Sequence, residues 1–421
     1  MGRTITEKIL ARAAGCETVK AGYEIMARPD FIHSYDFPGY TDAFFREMKE
    51  EFGLDSPPGP ERFALFIDHM VPAKTPKEED LHVITRKWGA EQGVPVFEGE
   101  GIGHQVAAEV GYAVPGAFLV HFDGHISQLG AFGMLALGLR RNILEAYVRE
   151  RISLRVPATT RVNLTGRLGP RVMARDVFHL ILQKLGPSFC RFQVLELGGE
   201  GISEMSLEQR QVLCGLAMFT GAITAVVNPD PKSLTWAQEH DPRISVRPEN
   251  SDSDAPYSGV YELDVSDLGP LAAAPPHPAN IVPLSQVVGL EVQAGYIGSC
   301  ASGRLEDIRA AAQILKGKRI KPGFRLNVIP TSRMIMKEAL DEGLITALVE
   351  AGAFVSSPSC DYCFGHIGNI TAGQRALSTG TLNVPGRMGS PDGEIFLVSP
   401  ATIAASAIEG RITDPRQDLK P

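Results

Sequence analysis

The sequence predicts an α/β protein built from three consecutive units, and three observations carry that prediction. Apolar runs of strand length alternate along the chain with stretches of helical spacing. Two of those runs end in an Asp–His pattern, Asp68-His69 and Asp123-Gly124-His125, as expected where parallel strands deliver functional groups at their carboxyl ends. The 43 glycines and 30 prolines follow no repeat over 421 residues, so they call for many tight turns.

The first unit spans residues 1–160. Helical spacing appears over Thr6–Ala14, preceded by a capping box at Thr4-Ile5-Thr6-Glu7, and again over Thr41–Phe52. Phe63–Ile67 reads as a buried strand, 77–92 as a charged surface helix, Gly116–His121 as a second strand and Leu129–Leu139 as a Gly/Ala-rich helix. The second unit, residues 161–270, offers strands at Arg161–Leu164, Phe192–Leu197 and Ile223–Val227, with helices at Ala174–Leu185 and Ser206–Phe219. Pro248–Tyr257 and the Pro/Ala-rich stretch 271–284 read as linkers. The third unit, 285–421, offers helix Leu305–Lys316, strand Arg325–Ile329, helix Ser332–Glu342, strand Gly393–Pro400 and helix Ala401–Glu409.

Composition narrows the function. The hydrophobic share is 44%, ordinary for a globular chain, and the net charge of −8 comes without any Lys/Arg-rich run. Nucleic acid and anionic membrane are thus poor partners, and a small molecule is the expected one. No apolar run reaches the roughly 20 residues that span a bilayer, and no signal-peptide core opens the chain, so a cytoplasmic setting is expected. Met1-Gly2 with Thr6 formally fits an acylation pattern, but the capping box explains the same residues.

Six cysteines are too few for a disulfide scaffold. Cys16, Cys190 and Cys214 stand apart and read as buried small hydrophobes. Cys300, Cys360 and Cys363 differ: Cys300 follows a Gly-Ser turn, and the Cys-x-x-Cys pair lies among Ser, Asp and Gly. Three thiolates fall one short of the four that close a structural zinc site or a cubane iron–sulfur cluster. An open metal position is what a catalytic Lewis acid needs. His366, three residues beyond Cys363, leaves a Cys3His zinc site as an alternative.

Asp68, His69, His104, Asp123 and His125 form the candidate acid/base set, because an Asp beside a His fixes its tautomer and raises its basicity. Gly99-Glu100-Gly101-Ile102-Gly103 lacks the spacing of a dinucleotide loop and reads as a tight turn that presents His104. Arg387, in a glycine-flanked loop, is a candidate clamp for a substrate carboxylate, with Asn383 and Ser302 as further binding candidates. His33, His82, His121, His179, His240 and His277 read as background.

Taken together, these motifs resemble the aconitase superfamily, and most nearly the large subunits of isopropylmalate dehydratases. The resemblance runs almost end to end: Thr4–Ala11, Asp68-His69 with Val71-Pro72, Gly101-Ile102 with His104-Gln105, and Gly130–Gly133. It continues through Gly298-Ser299-Cys300, Cys360 with Cys363, Gly386-Arg387 and Leu397–Pro400. The resemblance implies three α/β/α domains around a cleft, and a [4Fe-4S] cluster on Cys300, Cys360 and Cys363 with one iron not ligated by protein. It also implies acid/base roles for the five residues above and a carboxylate-binding role for Arg387. Such enzymes use a swivelling domain that supplies a catalytic serine, so a separate small subunit is the implied partner.

The chain departs from the family pattern at several positions, among them Ala301-Ser302, which stand for a Thr-Asn after the first cysteine. Gly124 stands for a serine, Gly215 and Phe219 for an amide and a carboxylate, and Leu382 for a second carboxylate-binding arginine. A buried carboxylate that loses a charged hydrogen-bond partner gives up roughly 1.5–3 kcal/mol. The expected reaction is therefore loss or addition of water on a 2- or 3-hydroxy acid that is more apolar than citrate. The alternatives are a different iron centre, as in the aconitase X branch, and a non-catalytic metal-binding scaffold.

Overall fold

The computed structural model describes residues 2–35 and 40–417. Met1 of the acylation pattern and Pro421 lie outside them. The chain forms two compact units. The first comprises 1–99, 106–164 and 190–262, and the second 100–105, 165–189 and 263–421.

The first unit is organised on a five-stranded parallel sheet in the order Val96–Glu98, Phe63–Ile67, Phe31–Tyr35, Phe118–His121, Leu135–Gly138. Every residue of its three central strands is buried, as expected of a parallel sheet covered on both faces. A four-stranded sheet follows, in the order Thr224–Val227, Val194–Gly198, Thr159–Thr165, Gly259–Asp264. The helix Ile5–Ala14 carries the expected capping box, with Thr4 and Glu7 each satisfying the other's backbone N–H.

Two expectations for this unit fail. The Leu129–Leu139 stretch is not an α-helix but a 3-10 segment, Gly124–Phe132, followed by the strand Leu135–Gly138. Its small residues serve close backbone approach: a Cβ on Gly130 would collide with the Ala225 carbonyl oxygen, and Gly133 turns the chain at φ 80°. Pro248–Tyr257 has no helix or strand, yet it is tied down. Ser251 Oγ donates to Glu196 at 2.8 Å and accepts from the Ile5 amide at 2.8 Å, and Asp252 pairs with Lys8 at 2.6 Å.

The second unit holds a seven-stranded sheet, in the order Ile281–Pro283, Leu271–Ala273, Glu394–Leu397, Arg375–Ser378, Ala294–Ile297, Arg325–Val328, Phe354–Val355. The last five run parallel, and Leu271–Ala273 pairs antiparallel with Glu394–Leu397 on one side and Ile281–Pro283 on the other. The 271–284 stretch is thus part of the sheet and not a linker. Leu271, Ala272 and Ala273 are buried, and the Leu271 amide donates to the Asp176 carboxylate at 2.9 Å. Pro283 falls in the edge strand, where a missing N–H costs little, and Pro275, Pro276 and Pro278 lie in the turn that joins the two strands. Helices Leu305–Leu315, Leu344–Ala351 and Pro400–Glu409 bury Ile308, Leu348 and Ile403 against Leu326, Val328 and Leu377 of the sheet. Among the described residues no helix is long and apolar enough to cross a membrane.

Candidate active site

In the first unit, Asp68-His69 and Asp123-Gly124-His125 leave the carboxyl ends of two strands that flank Phe31–Tyr35 in the same parallel sheet. Each Asp holds its His through Nδ1. His69 Nδ1 lies 2.6 Å from Asp68 Oδ1, and His125 Nδ1 lies 2.9 Å from Asp123 Oδ1. A carboxylate there places the proton on Nδ1 and leaves Nε2 as the basic nitrogen. Asp123 Oδ1 also accepts the His125 backbone N–H at 2.7 Å, which fixes the turn.

Three residues outside the expected set support these pairs. Tyr35 ends the middle strand, with its ring 4.8 Å from that of His69 and its hydroxyl 3.5 Å from Asp123 Oδ2. His82 Nε2 meets the His69 carbonyl oxygen at 3.2 Å. His121 Nδ1 accepts the Asp123 N–H at 2.8 Å. The last two stood among the background histidines. Parallel pairing is the signal that could have found Tyr35, which ends the strand between the two motif strands, whereas His121 ends a motif strand itself, two residues before Asp123. On the far side of His125, the Phe219 ring centroid lies 6.2 Å away, and a Cβ on Gly124 would stand 3.7 Å from Met218 Cε.

The second unit gathers the remaining candidates at the carboxyl edge of its sheet. Cys300 follows the strand Ala294–Ile297 through Gly298 and Ser299, with φ angles of 158° and 79°. Cys360 and Cys363 follow Phe354–Val355, and Asn383 and Arg387 follow Arg375–Ser378. Cys363 is buried, and its thiol is held well below the usual range. A hydrogen bond with Cys360 is the main cause, opposed by burial and aided by the Arg387 charge. Arg387 Nη2 donates to Cys363 Sγ at 3.4 Å, and its Nε has no partner among the described residues. Burial and the thiolates of Cys363, Cys360 and Cys300 push the Tyr296 hydroxyl well above its usual range.

Ser302 and Asn383 are buried with framework partners: Ser302 Oγ donates to Asp307 at 3.0 Å, and Asn383 Nδ2 to the Ala273 carbonyl at 3.2 Å. His104 belongs to this unit. Its segment is pinned by the Ile102 amide to the Thr331 carbonyl at 2.8 Å, and by Arg304 Nε to Gln105 at 3.1 Å. Gly101, at φ 130°, meets the Thr331–Ser332 backbone so closely that no side chain fits.

Of the other cysteines, Cys190 and Cys214 are buried, and burial pushes both thiols up to about 12. Cys16 is exposed, contrary to expectation, because it lies just beyond the end of the first helix. Among the described residues no three His, Cys, Asp or Glu side chains gather around a point where one metal ion could sit. The Cys3His set with His366 is therefore not formed. A cluster makes no such demand, since each thiolate binds its own iron.

The Aconitase family (aconitate hydratase) matches residues 64–410. The chain is 39% identical over 423 residues to the 3-isopropylmalate dehydratase large subunit 1 of Methanopyrus kandleri, covering 100% of both chains. It is 38% identical over 429 residues to the 3-isopropylmalate dehydratase large subunit of Aquifex aeolicus, covering 100% of this chain and 98% of that one. Among solved structures, the Thermococcus kodakaraensis aconitase X shares the fold at a TM-score of 0.50 and 12% identity, over 85% of this chain and 84% of that one. The chain belongs to the aconitase family of hydro-lyases.

Proposed function

We propose that the chain is the large subunit of a two-chain dehydratase acting on a 2- or 3-hydroxy acid with an apolar branch, similar to 3-isopropylmalate. The observation that carries this reading is the setting of Cys363, a buried thiol drawn toward thiolate by Cys360 and Arg387. Full-length similarity to dehydratase large subunits supports the reaction class and a small-subunit partner. Phe219 and Met218 beside the Asp123–His125 pair support the apolar branch, which a carboxylate-lined wall would not accept.

In this reading Cys300, Cys360 and Cys363 hold a [4Fe-4S] cluster with one iron left open, and the donor set fits. The thiols come from loops at the carboxyl edge of one sheet, and the charges of all three support the Arg387 guanidinium, raised above its usual range although burial alone would lower it. When bound, such a cluster supplies a Lewis-acidic iron to a substrate hydroxyl. Arg387 turns one N–H to Cys363 and keeps Nε for a substrate carboxylate. His69, His125 and His104 pass a proton to the leaving hydroxyl and take one back in the reverse direction. Asp68 and Asp123 keep the proton on Nδ1 of the first two imidazoles and stabilise the imidazolium, so that Nε2 gives the proton up from the charged ring and takes it back as the neutral one. The small subunit supplies the base that removes the carbon-bound proton.

The test is an anaerobic dehydratase assay on the chain co-expressed with its small subunit. Cys360→Ser with Cys363→Ser should abolish turnover while leaving the complex assembled. Full turnover in that double variant overturns the reading.

A further inference from the structure

The helix Ala174–Leu185 opens with two ionisable residues removed from water, Arg175 and Asp176, which are 3% and 0% exposed. A buried guanidinium brings five N–H donors and a charge, and each left uncompensated is costly. Arg175 gives Nη2 to the Thr379 carbonyl, while its Nε finds no partner among the described residues. Burial draws its pKa down to about 10, against the support of Asp307, Asp176, Cys300 and Cys363. The Asp176 carboxylate is itself occupied by the Met173 and Leu271 amides, each at 2.9 Å.

Thr379 is the node that joins this helix to the thiol loops. Its carbonyl also accepts Ser299 Oγ at 3.1 Å, and Ser299 immediately precedes Cys300 at φ 79°. Its Oγ1 accepts the Gly298 amide at 2.9 Å. Two residues on, Thr381 Oγ1 stands 3.9 Å from Cys363 Sγ. Arg175 thus fastens one carbonyl from which both the Cys300 turn and the strand end leading to Thr381 are hung.

We propose that Arg175 is a positioning residue of the thiolate site: it fixes the Thr379 carbonyl that orients the Ser299–Cys300 turn, and it supplies the buried positive charge that offsets the thiolates of Cys300 and Cys363. The assignment rests on the reading that these thiols carry an iron–sulfur cluster. Net charge and nearby hydrogen bonds set the potential of such a cluster, and groups behind metal ligands govern how tightly the metal is kept. Removing a cation from beside the thiolates makes oxidation easier and iron loss faster.

The experiment compares wild type, Arg175→Met and Arg175→Lys, each as the full chain purified without oxygen. It reads the midpoint potential by EPR-monitored titration and the rate of cluster decay in air. Arg175→Met should lose the open iron 10- to 100-fold faster, by about the effect usual for groups behind metal ligands. Its potential should fall by about 59 mV for each tenfold change in the one-electron equilibrium. Arg175→Lys keeps the charge without the planar fork. It should hold the wild-type potential yet decay faster than wild type. A loaded Arg175→Met with wild-type potential and decay overturns the assignment alone. If Arg175→Met does not fold, Arg175→Lys decides, and a wild-type decay rate there overturns the positioning role. A wild type that binds no iron and sulfide overturns the cluster reading and the assignment with it.

Discussion

Gly101→Ala isolates the turn that carries His104. At φ 130° an L-residue is strained, which costs about 1–3 kcal/mol. The added Cβ would also stand 2.5 Å from Ser332 Cα and collide with the Thr331 carbonyl oxygen, and neither is the end of a flexible side chain. Relief requires parting two backbone segments joined by Ile102 N to Thr331 O at 2.8 Å and Arg333 N to Glu100 O at 2.7 Å. At about 1 kcal/mol for each hydrogen bond, the total comes to about 3–5 kcal/mol. Hydrogen exchange reads this locally. At 1.36 kcal/mol per tenfold change, the Ile102 and Arg333 amides should lose protection by roughly 100- to 5,000-fold, and dehydratase turnover should fall with them. Gly99→Ala is the control: Gly99 is also left-handed, at φ 70°, but meets nothing within 4 Å, so about 1–2 kcal/mol is expected. Protection in Gly101→Ala within a few-fold of the Gly99→Ala control would refute the reasoning.

Three further outcomes are expected. Arg387→Ala removes a hydrogen bond and a charge from Cys363, so the pH profile of thiol alkylation in the metal-free chain should move upward, and kcat/KM should drop at least tenfold. Burial, assisted by the Arg175 charge, holds the His179 imidazole down to about 3. Its unfolded counterpart therefore takes up a proton first as pH falls. The stability it contributes is fully present above about 6.5 and lost toward about 3, by up to 1.36 kcal/mol per pH unit. His179→Gln should flatten the loss of stability between pH 6 and pH 4, measured by urea unfolding. Phe219→Ala should lower kcat/KM for a substrate with an isopropyl branch by about 10- to 200-fold, and much less for an unbranched analogue, in a paired kinetic assay.

Where local pattern and tertiary role agree, the sequence was legible. Phe63–Ile67 and Ala174–Leu185 form the strand and helix that their apolar spacing predicts. The Asp–His pairs were legible as strand-end motifs, and the thiols as a loop set, because those residue types rarely cluster without a chemical reason. What escaped depended on long-range contact. Gly130 is small because the Ala225 backbone lies against it, and small residues read locally as helix. Leu271–Ala273 looked like a linker because its role is fixed by a partner strand more than a hundred residues away, at Leu397. His82 and Tyr35 support the pairs through a carbonyl and a ring contact that leave no local motif, whereas His121 accepts the amide of Asp123 only two residues on and lay within local reach. Arg175 was hidden in an ordinary amphipathic helix, and only its burial beside Thr379 sets it apart.

The central claim, that Cys300, Cys360 and Cys363 hold an open iron–sulfur cluster, is tested most directly by one measurement on protein purified without oxygen. Iron and acid-labile sulfide are counted per chain, and an EPR spectrum is taken after mild oxidation. The account predicts about four irons and four sulfides, with a three-iron signal appearing as the unligated iron leaves in air. Zinc in their place, or a folded chain with neither iron nor sulfide, would contradict it.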